Sequence, residues 1–169
     1  MIEAAHGAPR RMVVFRIAEQ RYAIPLEVVQ EIVSIPLLSR PAGMPSILAG
    51  YFSLGTDVVA VLRVDRLLGS ADRPQSLYTP LIVLRSSSGP LALMVDEVVD
   101  TKTIPEGTIV AFQEAASFNG CTEGMAVVEG HHVALLAPDR LLLKAEKQRL
   151  DEFTAREKSR LCELKEATP

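Results

Sequence analysis

Asp96, Glu97 and Asp100 form the densest acidic cluster in the first 138 residues. Paired carboxylates can exchange protons with a substrate, but only in a cleft that also offers a reacting partner. The sequence supplies no nucleophile or base for them, so a charged strand end and a protein-contact site compete with acid–base chemistry. His131 and His132 adjoin in EGHH, a stretch that reads as a hairpin turn. Neighbours on a strand point to opposite faces, so the pair is poorly placed to ligate one metal ion. His6 falls in an N-terminal arm, and the serines at 86–88 sit in a turn without the GxSxG elbow of a hydrolase. Cys121 has no evident histidine partner and reads as a lone buried or half-buried thiol. Neither a phosphate-binding P-loop nor a GxGxxG turn is present. By elimination the chain is a binding module and not an enzyme, with no metal or cofactor expected.

Length and charge narrow the class of partner. The 169 residues carry 48% apolar side chains and a net charge of −3. That apolar content can bury a sizeable core, while the charge lacks the positive field that nucleic acids or anionic membranes attract. Two cysteines are too few for a disulfide framework, so a reducing, cytoplasmic setting is expected. The N-terminal residues show no signal-peptide core, and the apolar runs are about five or six residues against the roughly 20 of a spanning helix.

The elements that must position any site fall into two segments. Residues 139–169 carry 8 basic and 7 acidic side chains, whereas residues 1–138 carry 10 and 14. The body is therefore apolar and lightly charged, and the tail densely charged. In the body, runs at 12–17, 58–62, 81–84, 91–95, 125–128 and 133–136 read as short strands. RSSSGP at 85–90 and EGHH at 129–132 read as hairpin connections. Short helices are expected at 25–30 and 64–68, opened by Pro25 and closed by Gly69 respectively. Strands that are apolar throughout must be buried on both faces, as when two small barrels pack together. The tail reads as one helix starting near Pro138, with Leu143, Leu150, Phe153, Leu161 and Leu164 on one stripe that Glu157 interrupts. Packing back on the body, docking or dimerising, and fraying are the three readings of that helix.

Four stretches in this order resemble the CheW family of chemotaxis coupling proteins: YAIPLEVVQEIV at 22–33, GYFSLGTDVVAVLRVDRLLG at 50–69, LIVLRSSSGPLALMVDEVVD at 81–100 and EGMAVVEGHHVALLAPDRLL at 123–142. The resemblance implies a mainly β fold of two small five-stranded, SH3-like barrels on a shared core, with the long C-terminal helix appended. It covers residues 12–143 as a CheW-like domain, which leaves a flexible arm at 1–11 and the charged amphipathic helix at 144–169. It also implies a non-catalytic adaptor that couples chemoreceptor tips to the regulatory domain of a CheA-type histidine kinase. Val29, Glu31 and Ile32 match the family's kinase-contact segment in the first barrel. Gly50, Leu54 and Gly55 match the region beside the receptor groove, and Asp96, Val98 and Val99 match the strand on its other side.

The chain departs from the family where Asn-Leu-Arg-Gly is usual. Ser53, Leu54, Gly55 and Thr56 stand there, followed by Ala60 and, in place of a carboxylate, Arg63. Glycine replaces an arginine's permanent charge and five-donor fork. Ala137-Pro138 stands where an acidic residue commonly begins the last helix. These departures and the long tail raise a second expectation, a specialised adaptor for a non-motility array or a receptor-modifying enzyme. Self-association through the tail helix belongs with it.

Overall fold

The computed structural model describes residues 7–70, 74–86, 89–111, 121–142 and 144–166. His6, Ser87, Ser88 and Leu143 lie outside the described residues, as do the side chains of Leu161 and Leu164. Eleven described strands form two sheets. The six-stranded sheet contains β1 (Arg10–Ile17), β2 (Gln20–Pro25), β8 (Glu97–Ile104), β9 (Val110–Ala111), β10 (Thr122–Val128) and β11 (His131–Leu136), in the order β8-β1-β2-β11-β10-β9. The five-stranded sheet contains β3 (Val29–Ser34), β4 (Leu48–Leu54), β5 (Asp57–Arg63), β6 (Pro80–Leu84) and β7 (Leu91–Met94), in the order β3-β6-β7-β5-β4. The second sheet is thus inserted in the chain between β2 and β8, and the parallel pair β2/β11 joins the two ends of the first.

The continuously apolar strands are explained by three cores. On β1, Val13, Phe15 and Ile17 face a core shared by both sheets, while Met12 and Val14 face an interior enclosed by the six-stranded sheet alone. On β5, Ala60 and Leu62 join the shared core, whereas Val59 and Val61 line the interior of the five-stranded sheet. Alternate residues point to opposite faces, so an apolar residue is required at every position.

Each sheet curls around its own interior without closing. The edge strands β8 and β9 are separated by only five residues, which include a 3-10 turn at Glu106–Thr108. Arg10 of β1 reaches Glu106 at 2.7 Å and Glu123 of β10 at 2.6 Å. β1 and β10 are separated by β2 and β11 within the sheet, so such contacts require the sheet to bend back on itself. No backbone pairing joins β8 to β9 or β3 to β4 among the described residues. The two expected five-stranded barrels are therefore two curled sheets, one with six strands, both open at a seam. Bulges between Val14 and Phe15, and between Leu48 and Gly50, supply local bends.

The helices are shorter or later than their sequence signals suggest. The expected helix at 25–30 is a single 3-10 turn at Leu26–Val28, because Val29 is drawn into pairing with Leu84 of β6 and Glu31 with Val83, across a register shift at Gln30. Helix α1 (Val64–Leu67) forms as expected and ends before Gly69 at φ +72°. Pro138–Arg140 forms another 3-10 turn, and helix α2 begins only at Lys144 and runs to Glu166. His131 and His132 open β11 and are not in the turn, which Glu129 and Gly130 make with φ of 50° and 79°. Two successive positive φ values are the signature of the turn that suits the twist of a hairpin.

Candidate functional site

The candidate contact residues occupy three sheet edges. Val29, Glu31 and Ile32 lie on β3, an edge of the five-stranded sheet. Val29 packs against the shared core, while Glu31 is exposed and Ile32 is 45% exposed. Gly50 and Leu54 lie on β4, the opposite edge of that sheet, and Gly55 begins the turn into β5. The kinase-type and receptor-type segments inferred from the resemblance thus share a sheet, separated by β6, β7 and β5. Val98 and Val99 lie on β8, an edge of the other sheet, and Asp96 immediately precedes it. Val98 is half-buried against the shared core and Val99 against the six-stranded interior.

Several of these residues have structural work of their own. Gly50 is buried, at φ +153°, where Ser39 and Tyr51 exchange backbone hydrogen bonds. A Cβ there would lie 2.7 Å from the Ser39 carbonyl oxygen and 2.8 Å from the Leu38 Cβ, so only glycine lets the 38–40 segment lie so close. Gly55 has φ +62° in a two-residue turn between paired Leu54 and Asp57, and its missing Cβ would meet nothing within 4 Å. The turn is therefore constrained by backbone conformation and has free space for a side chain. One Asp96 carboxylate oxygen accepts the Ala18 N–H at 2.7 Å, which holds the tight β1–β2 turn where Ala18 has φ 55°.

The three carboxylates of the acidic cluster do not converge. Asp96 serves that turn, Glu97 pairs with Arg16 at 3.1 Å, and Asp100 with Lys102 at 3.3 Å. Donation from the Thr101 backbone N–H, and then from Lys102, holds the Asp100 carboxyl below its ordinary value. Lys102 is shared with Glu129 at 2.7 Å, and that contact chiefly raises its affinity for the proton. Among the described residues no three His, Cys, Asp or Glu side chains are grouped as a metal site.

Two features are missed by sequence reasoning. Arg63, which replaces the family's carboxylate, is paired with the buried Asp65 at 2.8 Å. The charge reversal is thus offset two residues later, a signal present in the sequence as Arg-Val-Asp. The second is a cleft beside β3 lined by Pro36, Leu37, Arg40, Gln75 and Leu77, where Arg40 Nη2 donates to Gln75 at 3.0 Å. Leu37 and Leu77 are strongly exposed there, and Tyr78, next in the chain, is exposed as well.

The model of the CheW-like domain matches residues 11–146. The chain belongs to the CheW-like domain family. Among solved structures, it is similar to that of the scaffolding protein TtCheW from Thermoanaerobacter tengcongensis, with a TM-score of 0.72 and 21% identity. That match covers 85% of this chain and 94% of the other. No curated protein matches the chain. The CheW-like fold accounts for the paired sheets and the shared core. Among the described residues no helix is long and apolar enough to cross a membrane.

Proposed function

We propose that this chain is a non-catalytic cytoplasmic adaptor that couples chemoreceptors to a CheA-type histidine kinase. Membership of the CheW-like family supports the adaptor class, and the β3 edge is the observation that carries the reading. Natural sheets cover or charge their edges to prevent adventitious pairing. β3 carries the exposed charge of Glu31 but also leaves Ile32 exposed on an open edge, with the apolar Leu37, Leu77 and Tyr78 on the adjoining loops. Such a patch is the mark of a protein interface. In this reading Val29, Glu31 and Ile32 meet the regulatory domain of the kinase. Leu54, Gly55, Val98 and Val99 border the receptor site, while Gly50 and Asp96 hold the backbone around it. Residues 12–143, joined by Arg10 and Arg11 of β1, act as the coupling domain, and the helix beyond them is an appended element that can also self-associate. Binding proceeds by surface complementarity, without cofactor, metal or nucleic acid.

The test is a titration of the full chain against the regulatory domain of its own organism's CheA-type kinase. Saturable micromolar binding is expected, abolished by Ile32→Glu with unchanged thermal stability, since that side chain is exposed. Absence of binding by the native chain overturns the reading. Gly55 favours a second reading, an adaptor specialised for a non-motility array or a receptor-modifying enzyme. Retained affinity for both usual partners would count against it.

A further inference from the structure

Helix α2 does not extend freely from the body. Leu150 is buried in the shared core, and Phe153 stacks on Tyr51 of β4 with ring centroids 5.9 Å apart and an interplanar angle of 16°. Glu157, one turn further along the same face, is 6% exposed. Positions 150, 153 and 157 form one side of the helix. The receiving surface consists of Tyr51 together with Val58 and Ala60 of β5. It spans β4 and β5 on the side of the shared core, whereas Leu54 of β4 packs with the five-stranded interior.

The fit of this helix is incomplete in two respects. Cavities flank its first turns on both sides. One of about 270 Å³ lies between Lys147 and residues including Leu91 and Leu141, and one of about 240 Å³ lies between Arg149 and residues including Pro45 and Ile47. The third contact on the face is also a carboxylate. Its ion pair is with Arg160 of the same helix, at 3.7 Å, and none with the sheet is formed among the described residues. The Tyr51 hydroxyl beneath it is buried, and Thr154 of the helix approaches it in poor hydrogen-bond geometry. Burying a carboxylate and a phenol in this way weakens the seam relative to an apolar one.

We infer that the surface of β4 and β5 beneath α2 is a helix-docking groove, in which α2 is a tethered occupant that an incoming amphipathic helix displaces. The groove already holds a helix, which establishes the shape it accepts. A short tether gives α2 an effective concentration on the order of millimolar, so a helix of equal fit cannot compete at ordinary concentrations. Glu157 lowers that barrier, and a helix presenting an apolar residue there fits better than α2 itself. Under the coupling reading, on which only this partner assignment rests, the incoming helix is that of a receptor tip. α2 then sets the threshold for receptor binding.

The experiment uses full-length protein with a labelled peptide spanning residues 144–166 in which Glu157 is leucine. Phe153→Ala loosens the resident helix and Glu157→Leu tightens it, and amide exchange across 150–157 reads both directly. The peptide should bind Phe153→Ala about tenfold more tightly than the parent, and Glu157→Leu more weakly than the parent. A receptor cytoplasmic fragment should displace it. No peptide binding to any variant, or equal binding to all three while amide exchange differs, overturns the groove. Bound peptide that a receptor fragment binding elsewhere fails to displace overturns the competition. A fragment that binds no variant counts against the coupling reading, and the peptide then decides the groove separately.

Discussion

Restoring the family's arginine at position 55 is expected to destabilise the protein, for a reason located in the backbone. Gly55 has φ +62° and nothing within 4 Å of its missing Cβ, so an added side chain meets no neighbour. The cost is then conformational alone, about 1–2 kcal/mol for an L-residue held in the left-handed region. For a chain of this size that corresponds to a fall in melting temperature of about 2–8 °C. Gly55→Ala should cost as much as Gly55→Arg, because neither clashes. Gly55→Asn should cost less, since asparagine tolerates positive φ. Urea unfolding of the three variants, with an unchanged slope, gives the ranking. Arginine and alanine variants as stable as the parent would refute the argument, and so would a penalty confined to arginine. The same series calibrates any gain of partner binding by Gly55→Arg against the lost stability.

Gly50→Ala should be more damaging, about 2–3 kcal/mol, because its Cβ would meet the Ser39 carbonyl and Leu38; a melting temperature within a degree of the parent would contradict the close approach. Asp65→Ala removes the buried carboxylate that holds Arg63 and should cost about 3 kcal/mol. In a double-mutant cycle with Arg63→Ala the two losses should not add, and simple additivity would deny the coupling. Burial pushes the Tyr51 phenol above its ordinary value of 10.0, Thr154 opposes the shift and the Glu157 charge adds to it. Burial likewise raises Tyr22, with a smaller contribution from Cys121. A raised folded value means the unfolded chain loses its phenol proton first. The stabilisation is therefore present below about pH 10 and is lost as pH rises through the folded values. Tyr51→Phe should reduce this alkaline loss of stability, and an unchanged stability profile above pH 10 would exclude Tyr51 as a contributor.

The strands were legible because their apolar periodicity and turn chemistry are local properties. Runs at 58–62, 81–84 and 133–136 fall inside β5, β6 and β11, and the charged tail from Lys144 is helical as its composition requires. The resemblance added β4, and also β3 and β8, whose exposed or mixed patterns are weak by themselves, and it identified the family that the domain match shows. Pairing was not legible, because it joins residues far apart in the chain. Nothing local in β2 indicates a parallel partner in β11, or that Val29 and Glu31 pair with β6 around a register shift at Gln30. The same holds for side chains. The sequence presented Gly55 as a lost arginine and Arg63 as a reversed charge, whereas the fold makes one a backbone requirement and the other half of a buried ion pair. The apolar stripe of the tail was written in the sequence, but which surface it meets depends on β4 and β5 being brought beneath it. Local chemistry thus determined the elements and the family. Long-range packing decided which edges stay open, which charges are buried and where α2 rests.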